Sequence, residues 1–148
     1  MTDQMKMTIT SKAYGEVTIE ERQIVDFPVG LFGFEHLHQY ALLDSTRPPL
    51  FWLQSLEEPG TAFVVVNPYV LVTDYVLDID EGDIAEIGNP SGDELLVFAI
   101  ITFAEHESRI SCNLQGPLII NRLTRKGRQA ISLDPRWSIR HSLLGGEG

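Results

Sequence analysis

Apolar residues along this chain mostly alternate with polar ones or form short continuous runs that end at Gly, Pro, Asn or Asp. A period of two and short runs of aromatic and β-branched residues are typical of strands, whereas helices need apolar positions three and four residues apart. The runs at 51–56 and 62–66 indicate fully packed strands at the centre of the fold. The pattern predicts strands at residues 7–13, 16–26, 39–44, 50–56, 61–67, 95–103, 109–114, 118–123 and 129–133.

One segment has the spacing of a helix. Residues 80–87 are predicted to form it, with Asp80 as the cap and with Ile84 and Ile87 facing inward. Residues 27–35 break the regular pattern, because their proline and two glycines permit a tight loop and their phenylalanines give that loop something to bury. Many short strands with one small helix are typical of a β-barrel or a β-sandwich.

Length and composition favour a single domain. The chain has 148 residues, of which 43% are hydrophobic, enough for one core and too few residues for two independent domains. We expect one domain over residues 1–144 and a disordered, glycine-rich tail at 145–148.

The longest apolar run, 95–101, is far shorter than the ~20 residues of a membrane span, so a cytoplasmic protein is expected. The single cysteine, Cys112, alternates with apolar neighbours and is interpreted as a buried or half-buried thiol.

Acidic residues are concentrated in a stretch without bases. Between Arg47 and Arg109 the sequence has twelve carboxylates and no lysine or arginine, and the whole chain carries a net charge of −10. Most of these carboxylates must face solvent, because burying one requires a paired charge or several hydrogen bonds. A partner with a basic surface is their natural complement.

The C-terminal part of the chain has the opposite charge balance, since residues 122–148 hold six bases and two acids. A basic tail of this kind can bind nucleic acid, but these bases also balance the acidic body of the same molecule, and we favour that interpretation. A net negative charge opposes binding to phosphate backbones, and the aromatic residues at 51, 52, 63 and 69 lie where there are no bases. Direct binding to nucleic acid is therefore not expected.

Familiar catalytic and nucleotide-binding motifs such as GxSxG, GxxxxGKS/T, GxGxxG and HExxH do not occur in the sequence. Sequence alone does not distinguish a catalytic carboxylate pair from many solvated carboxylates, and we interpret the acids as solvated. His36 and His38 lie two residues apart, as on one side of a strand, but no third metal ligand is near them in sequence. We expect no enzyme activity, no metal and no cofactor.

Polar residues inside apolar segments leave two interpretations open. Gln54 and Ser55 interrupt a strand that looks buried, and Asn113 and Asn121 flank the segment around Gly116-Pro117. Buried amides mostly serve their own backbone, so closing a turn or a strand edge is the favoured role and contact with a partner is the alternative. Gln54 and Ser55 also prompt a different class of function, a β-barrel that binds a small ligand in its interior.

Five segments taken together resemble the flagellar assembly factor family FliW. They are Gly30–Glu35 (GLFGFE), Phe51–Ser55 (FWLQS), Ala62–Pro68 (AFVVVNP), Asn113–Asn121 (NLQGPLIIN) and Gly127–Gln129 (GRQ). The segments occur in the family's order and spacing across residues 7–140, which is far more specific than any single motif. Phe32 stands where a proline is common in the family's loop.

This resemblance implies a mainly β, small, barrel-like domain of short antiparallel strands with one short helix and without catalytic activity. Members of the family bind CsrA, a basic dimeric RNA-binding regulator, and prevent it from silencing flagellin messenger RNA. They also bind flagellin, which competes them away from CsrA, so that secretion of flagellin frees the factor and relieves repression. The resemblance therefore implies two protein partners, CsrA and flagellin.

The residues themselves offer candidate contacts for both partners. The acidic stretch 78–86 is expected to attract a basic protein through a field that reaches about 8 to 10 Å, although a solvated helix flank would look the same in sequence. Flagellin segments that pack in the filament are amphipathic helices, so we expect them to bind an apolar surface of this protein. Its aromatic side chains are candidates for that surface, and the alternative is that they belong to the core. The candidate partner-binding residues are Asp78, Asp80, Glu81, Asp83, Glu86, Phe32, Phe34, Trp52, Gln54, Asn113 and Asn121.

Overall fold

Antiparallel strands dominate residues 5–104 and 109–143, which the computed structural model describes. Within these ranges two short helices, α1 (Pro68–Leu71) and α2 (Glu81–Glu86), and two 3-10 turns, Glu21–Gln23 and Gly92–Glu94, connect the strands. The strands are β1 (Lys6–Ser11), β2 (Gly15–Glu20), β3 (Ile24–Asp26), β4 (Gln39–Asp44), β5 (Phe51–Ser55), β6 (Ala62–Val66), β7 (Leu95–Ala104), β8 (Arg109–Cys112), β9 (Leu118–Asn121), β10 (Gly127–Gln129) and β11 (His141–Ser142).

The main sheet closes on itself. Its strands follow the order β10-β9-β7-β6-β5-β4-β3, all antiparallel, and β8 continues along β7 beyond β9 with β11 at its other edge. The two ends of this order meet, because the backbone N–H of Asp26 donates to the carbonyl of Arg125 at 2.9 Å and Asp26 forms a parallel bridge with Lys126. The predicted mainly β, barrel-like architecture of short antiparallel strands is confirmed.

Alternation along the strands divides the apolar side chains between two faces. On β7, Phe98 and Ile100 pack with the interior cluster, which includes Phe27, Tyr40 and Leu118. The neighbouring β7 residues Val97, Ala99 and Ile101 face outward instead, where they pack with residues of α2 and of the C-terminal segment that includes Trp137. A third cluster forms where the β1–β2 hairpin covers the outer face of β4 and β5.

Most boundaries lie within two residues of the predicted ones, and larger differences occur in two places. The strand predicted at 16–26 is interrupted by the turn at Glu21–Gln23, because Glu20 and Gln23 form a reciprocal capping box there. The strand predicted at 129–133 is wrong: β10 ends at Gln129, and the backbone N–H groups that follow donate to carbonyls of two separate segments, the β8–β9 connection and the segment before α2. The predicted helix at 80–87 is confirmed as α2.

The sequence pattern did not predict helix α1, because a helix of four residues is too short to show a helical period. Asn67 caps it by accepting from the N–H of Tyr69 at 2.9 Å, and Pro68 occupies its first turn. In the described part of the chain, no helix has the length and apolar character that crossing a membrane requires. The predicted disordered tail at 145–148 lies outside the described residues.

Gln54 joins three segments from a buried position on β5. Its side chain is 1% exposed, and its Oε1 accepts from the N–H of Lys12 in the β1–β2 turn at 2.8 Å. Its Nε2 donates to the carbonyls of Pro59 at 3.0 Å and Thr61 at 3.3 Å, while the hydroxyl of Ser55 accepts from the following turn. Both polar residues are thus engaged by backbone, which removes the reason for assigning a ligand site to the barrel interior.

We predict that Gln54→Leu will lower the free energy of unfolding by about 2 kcal/mol, because it removes the hydrogen bonds that the buried amide makes to the N–H of Lys12 and to the carbonyls of Ser55 and Pro59. Urea unfolding followed by fluorescence measures the change. The matched control is Gln39→Leu on the neighbouring strand β4, where the side chain is exposed and the expected change is within about 0.5 kcal/mol. Equal midpoints for the two variants would contradict the structural role of Gln54.

Candidate functional site

An apolar groove of about 370 Å³ opens beside the loop at 31–34. The loop contributes Phe32 and Phe34, and the strands contribute Phe63 and Ile100. We call this depression the apolar groove; the other residues that line it are Leu31, Thr102, Asn113, Gln129, Ile139 and Arg140. It brings together three of the predicted partner-binding residues, Phe32, Phe34 and Asn113.

The tight turn at Gly30 sets the position of Phe32. Gly30 has a φ of +72°, and a Cβ atom there would lie 2.6 Å from the Cα of Glu35. Leu31 is 1% exposed and anchors the loop in the interior cluster, so the next side chain points outward. Phe32 is consequently 52% exposed, which is unusual for a phenylalanine beside a core.

Gln129 holds this loop against the opposite side of the groove. The Phe32 N–H donates to its Oε1 at 2.8 Å, and its Nε2 donates to the carbonyl of Gly116 at 2.9 Å. The side chain is 5% exposed, so these hydrogen bonds form in a largely desolvated site. Sequence reasoning missed the role of Gln129, although a polar amide next to the buried Ala130 was the available signal.

Asn113 shapes the groove from the β8–β9 connection. Its Oδ1 accepts from the N–H groups of Gln115 at 3.0 Å and Gly116 at 2.8 Å, closing a turn before Pro117 as the structural interpretation predicted. Among the described hydrogen bonds none uses its Nδ2, which leaves a donor at the groove.

The other predicted amide, Asn121, lies elsewhere and is 4% exposed. Its Nδ2 donates to the carbonyl of Ile87 at the end of α2 at 2.8 Å, and its Oδ1 accepts from the N–H groups of Leu123 at 2.9 Å and Thr124 at 3.3 Å. The residue therefore fixes α2 to the β9–β10 turn. Because neither Asn121 nor Gln54 reaches the surface, we set aside partner contact for both and assign them to the fold.

Trp52 also belongs to the fold. It is partly buried on the outer face of β5, where it packs with Ile19, Ala41 and Leu43 under the β1–β2 hairpin. Trp52 was either a partner contact or a core residue, and these contacts agree with the core interpretation. The predicted aromatic set thus separates, with Phe32 and Phe34 at the groove and Trp52 away from it.

The acidic stretch includes α2 and the segment before it. Asp78, Asp80, Glu81 and Glu86 are exposed. Asp80 occupies the N-cap position of α2, but its carboxylate makes no capping hydrogen bond, contrary to the predicted cap. Four carboxylates close together in sequence are therefore free to act on a partner through their field.

Asp83 differs from its acidic neighbours because Arg128 neutralises it. The Nε of Arg128 lies 2.7 Å from an Oδ of Asp83, and the two side chains are 29% and 18% exposed. This ion pair fixes α2 to β10 and bears out, for one residue, the interpretation that C-terminal bases balance the acidic body. Asp83 is thus a positioning residue rather than a free charge.

The apolar groove and α2 lie on opposite faces of the sheet. Ile100 lines the groove and packs with the interior cluster, whereas the next residue, Ile101, packs on the outer face in the same cluster as Ile84 of α2. The same separation occurs on β10, where Gln129 lines the groove and the adjacent Arg128 pairs with α2. Two surfaces of different chemistry therefore share one short strand.

Where the surroundings shift a carboxyl pKa in the described residues, they lower it. The N–H groups of Gln39 and His38 lower the pKa of Glu57, and hydrogen bonds from Arg136 lower that of Asp134. A general acid needs the opposite shift. Burial raises the pKa of Cys112 to about 11, so the thiol is inert, as predicted for a core cysteine. No cluster of three metal-ligating side chains occurs within the described ranges.

Fold and site together define a small antiparallel β domain marked by an apolar groove and an acidic helix. The chain belongs to the FliW family: the family model described as "FliW protein" matches residues 8–143. The resemblance stated from the sequence is thereby confirmed.

Named relatives match over nearly the whole chain. The flagellar assembly factor FliW of Treponema denticola is 45% identical over 93% of this chain and 94% of its own length. The protein of the same name from Treponema pallidum is 37% identical over 93% and 92%. A crystal structure of the flagellar assembly factor FliW superposes with a TM-score of 0.86 at 28% identity, covering 96% of this chain and 100% of that one.

We predict that Gly30→Ala will destabilise the protein by at least about 2 kcal/mol, because the added Cβ combines a left-handed backbone with a clash against Glu35. Gly60→Ala is the matched control, since its φ is not in the left-handed region and no atom lies within 4 Å of the new Cβ. Thermal unfolding of both variants measures the difference. An unchanged midpoint for Gly30→Ala would mean that the loop is not fixed at this residue.

Proposed function

We propose that this protein is a non-enzymatic flagellar assembly factor that acts in the cytoplasm by exchanging two protein partners. In this proposal it binds CsrA and antagonises repression of flagellin messenger RNA, and it binds flagellin in a partner switch. Family membership supports the role in flagellar assembly, because the relatives carry that name. The observation that carries the rest is the separation of an acidic helix and an apolar groove on opposite faces of one sheet.

The acidic face supports binding to CsrA. Asp80, Glu81 and Glu86 are exposed on and beside α2, and in the described ion pairs Arg128 engages only Asp83 of this stretch. A basic RNA-binding protein is attracted to such a field within about 8 to 10 Å at physiological salt. Once bound, the same field repels RNA from the regulator, because phosphates and carboxylates carry like charge.

The apolar groove supports binding to flagellin. Phe32 is 52% exposed and Ile139 58% exposed, and together with Phe34 they offer apolar area that water solvates poorly. An amphipathic helix gains from placing its apolar side in such a depression. Covering that side before the filament forms also protects the helix from aggregation, which is the work of a chaperone.

Strand β10 gives the switch a physical route. On the groove side, Gln129 accepts a hydrogen bond from the Phe32 N–H, and on the other side Arg128 forms an ion pair with Asp83 of α2. A bound helix that displaces Phe32 would therefore disturb Gln129. The adjacent residue, Arg128, holds α2 in place through Asp83. Coupling of this kind lets flagellin and CsrA compete without sharing a surface.

We predict that CsrA binding weakens as salt rises and that neutralising the acidic face weakens it about tenfold at 150 mM salt, because several exposed pairs are lost together. The variant combines Asp80→Asn, Glu81→Gln and Glu86→Gln. Isothermal titration calorimetry measures the affinity, and release of a labelled RNA from CsrA measures the antagonism.

The control for that experiment removes the same number of charges from other elements, through Glu16→Gln, Glu21→Gln and Asp44→Asn, all at exposed positions on β2, the turn after it and β4. It is expected to change the affinity by less than about threefold. Equal weakening by both sets would show that only net charge matters, and binding that ignores salt would remove the electrostatic basis of the proposal.

We predict that Phe32→Ser reduces flagellin affinity at least about tenfold and leaves CsrA affinity unchanged, because it removes exposed apolar area but keeps the backbone hydrogen bond to Gln129. The control is Val70→Ser on α1, a residue that is 55% exposed and does not line the groove. Pull-down with purified flagellin, followed by calorimetry, measures both effects. Equal binding by the two variants would exclude the groove as the flagellin site.

A further inference from the structure

A cationic side chain lines the apolar groove of this strongly acidic protein. Arg140 is exposed and belongs to the groove together with Phe32, Phe34 and Ile139. The described ion pairs use Arg22, His36, Arg128 and Arg136, and Arg140 takes part in none of them. Within the described residues, its charge is therefore not engaged by a carboxylate, and it lies at a surface where a partner's apolar side chains would be buried.

Of the polar groups that accompany Arg140, Asn113 offers a donor and Thr102 a hydroxyl that can donate or accept. Gln129 already uses both ends of its amide, and Asn113 uses its Oδ1 in the turn, which leaves the Nδ2 of Asn113 at the groove. Arg140 and Asn113 thus offer hydrogen-bond donors beside an apolar floor. Such a set matches a carboxylate, which only accepts, and disfavours an ammonium or guanidinium group.

The apolar surface continues beyond the groove. A second depression of about 250 Å³ shares Phe32, Asn113 and Ile139 with it and adds Ile131, which is 55% exposed. The two depressions are therefore adjacent, and Arg140 lines only the first of them. Adjacent apolar side chains with a charge beside them suit the apolar side of an amphipathic helix.

We propose that the groove binds an amphipathic helix that carries an acidic side chain beside its apolar face, with that carboxylate paired to Arg140. This inference rests on the proposed binding of flagellin and specifies the chemistry of the segment that is bound. Arg140 also sorts the two partners, because a basic protein is repelled from the groove and attracted to α2 on the opposite face. Specificity then comes from an unfavourable contact with the wrong partner as well as a favourable one with the right partner.

Two synthetic peptides test the proposal. Both are 18-residue helices with the same leucine face, and one carries three glutamates beside that face where the other carries three lysines. Fluorescence anisotropy at 150 mM salt gives their affinities for the full-length protein. We expect Arg140→Glu to weaken the glutamate peptide about fivefold to tenfold and to strengthen the lysine peptide, whereas Arg140→Gln weakens the glutamate peptide less.

Arg47→Glu is the matched control, because it changes the net charge equally at an exposed position outside the groove. It is expected to alter either affinity by less than twofold. Equal effects of Arg140→Glu and Arg47→Glu, or no binding of the glutamate peptide to the unaltered protein, would overturn the inference.

Flagellin itself distinguishes this inference from the broader proposal. If flagellin binds the unaltered protein and binds Arg140→Glu equally well, the charge selection is wrong and the proposed function stands. If flagellin does not bind the unaltered protein at all, the proposed function is wrong, whatever the peptides do. Binding that falls with Arg140→Glu but not with Arg47→Glu supports both.

Discussion

Closure of the sheet between β3 and β10 is the contact on which the rest of the structure depends. The Asp26 N–H donates to the carbonyl of Arg125, and next to it Gly127 packs so closely on Phe27 that a Cβ atom would lie 2.6 Å from the ring. The contact between Gly127 and Phe27 brings the loop that follows Phe27 beside β10, where Gln129 accepts a hydrogen bond from the N–H of Phe32. Closure therefore creates the interior face, the outer face and the groove at the same time.

Two surfaces of unlike chemistry follow from that geometry. Because side chains alternate along β10, Arg128 meets the acidic helix and Gln129 meets the groove, so one strand positions both. An acidic face attracts a basic protein over a distance, whereas an apolar groove acts only on contact. In the proposed function, keeping them on opposite faces lets a small domain bind two partners through different kinds of recognition.

Buried amides connect segments that are far apart in the chain. Gln54 reaches a residue 42 positions away, Asn121 one 34 positions away and Gln129 one 97 positions away. Each amide is buried and serves backbone groups that the strand ladders leave unpaired. The polar residues inside apolar segments thus hold the fold together, and the proposed recognition is left to exposed carboxylates, exposed aromatic side chains and Arg140.

The sequence alone determined the strand content, the helix at α2, the buried Cys112, the acidic stretch and the family, because these depend on periodicity, local composition and ordered motifs. It also singled out Phe32 and Phe34. Only the tertiary structure decided that Trp52 is covered, that Asp83 is neutralised by Arg128, and that Arg140 joins Phe32 at one groove. Those outcomes depend on which face a side chain takes and on contacts between distant segments, and local patterns carry no information about either until the sheet has closed.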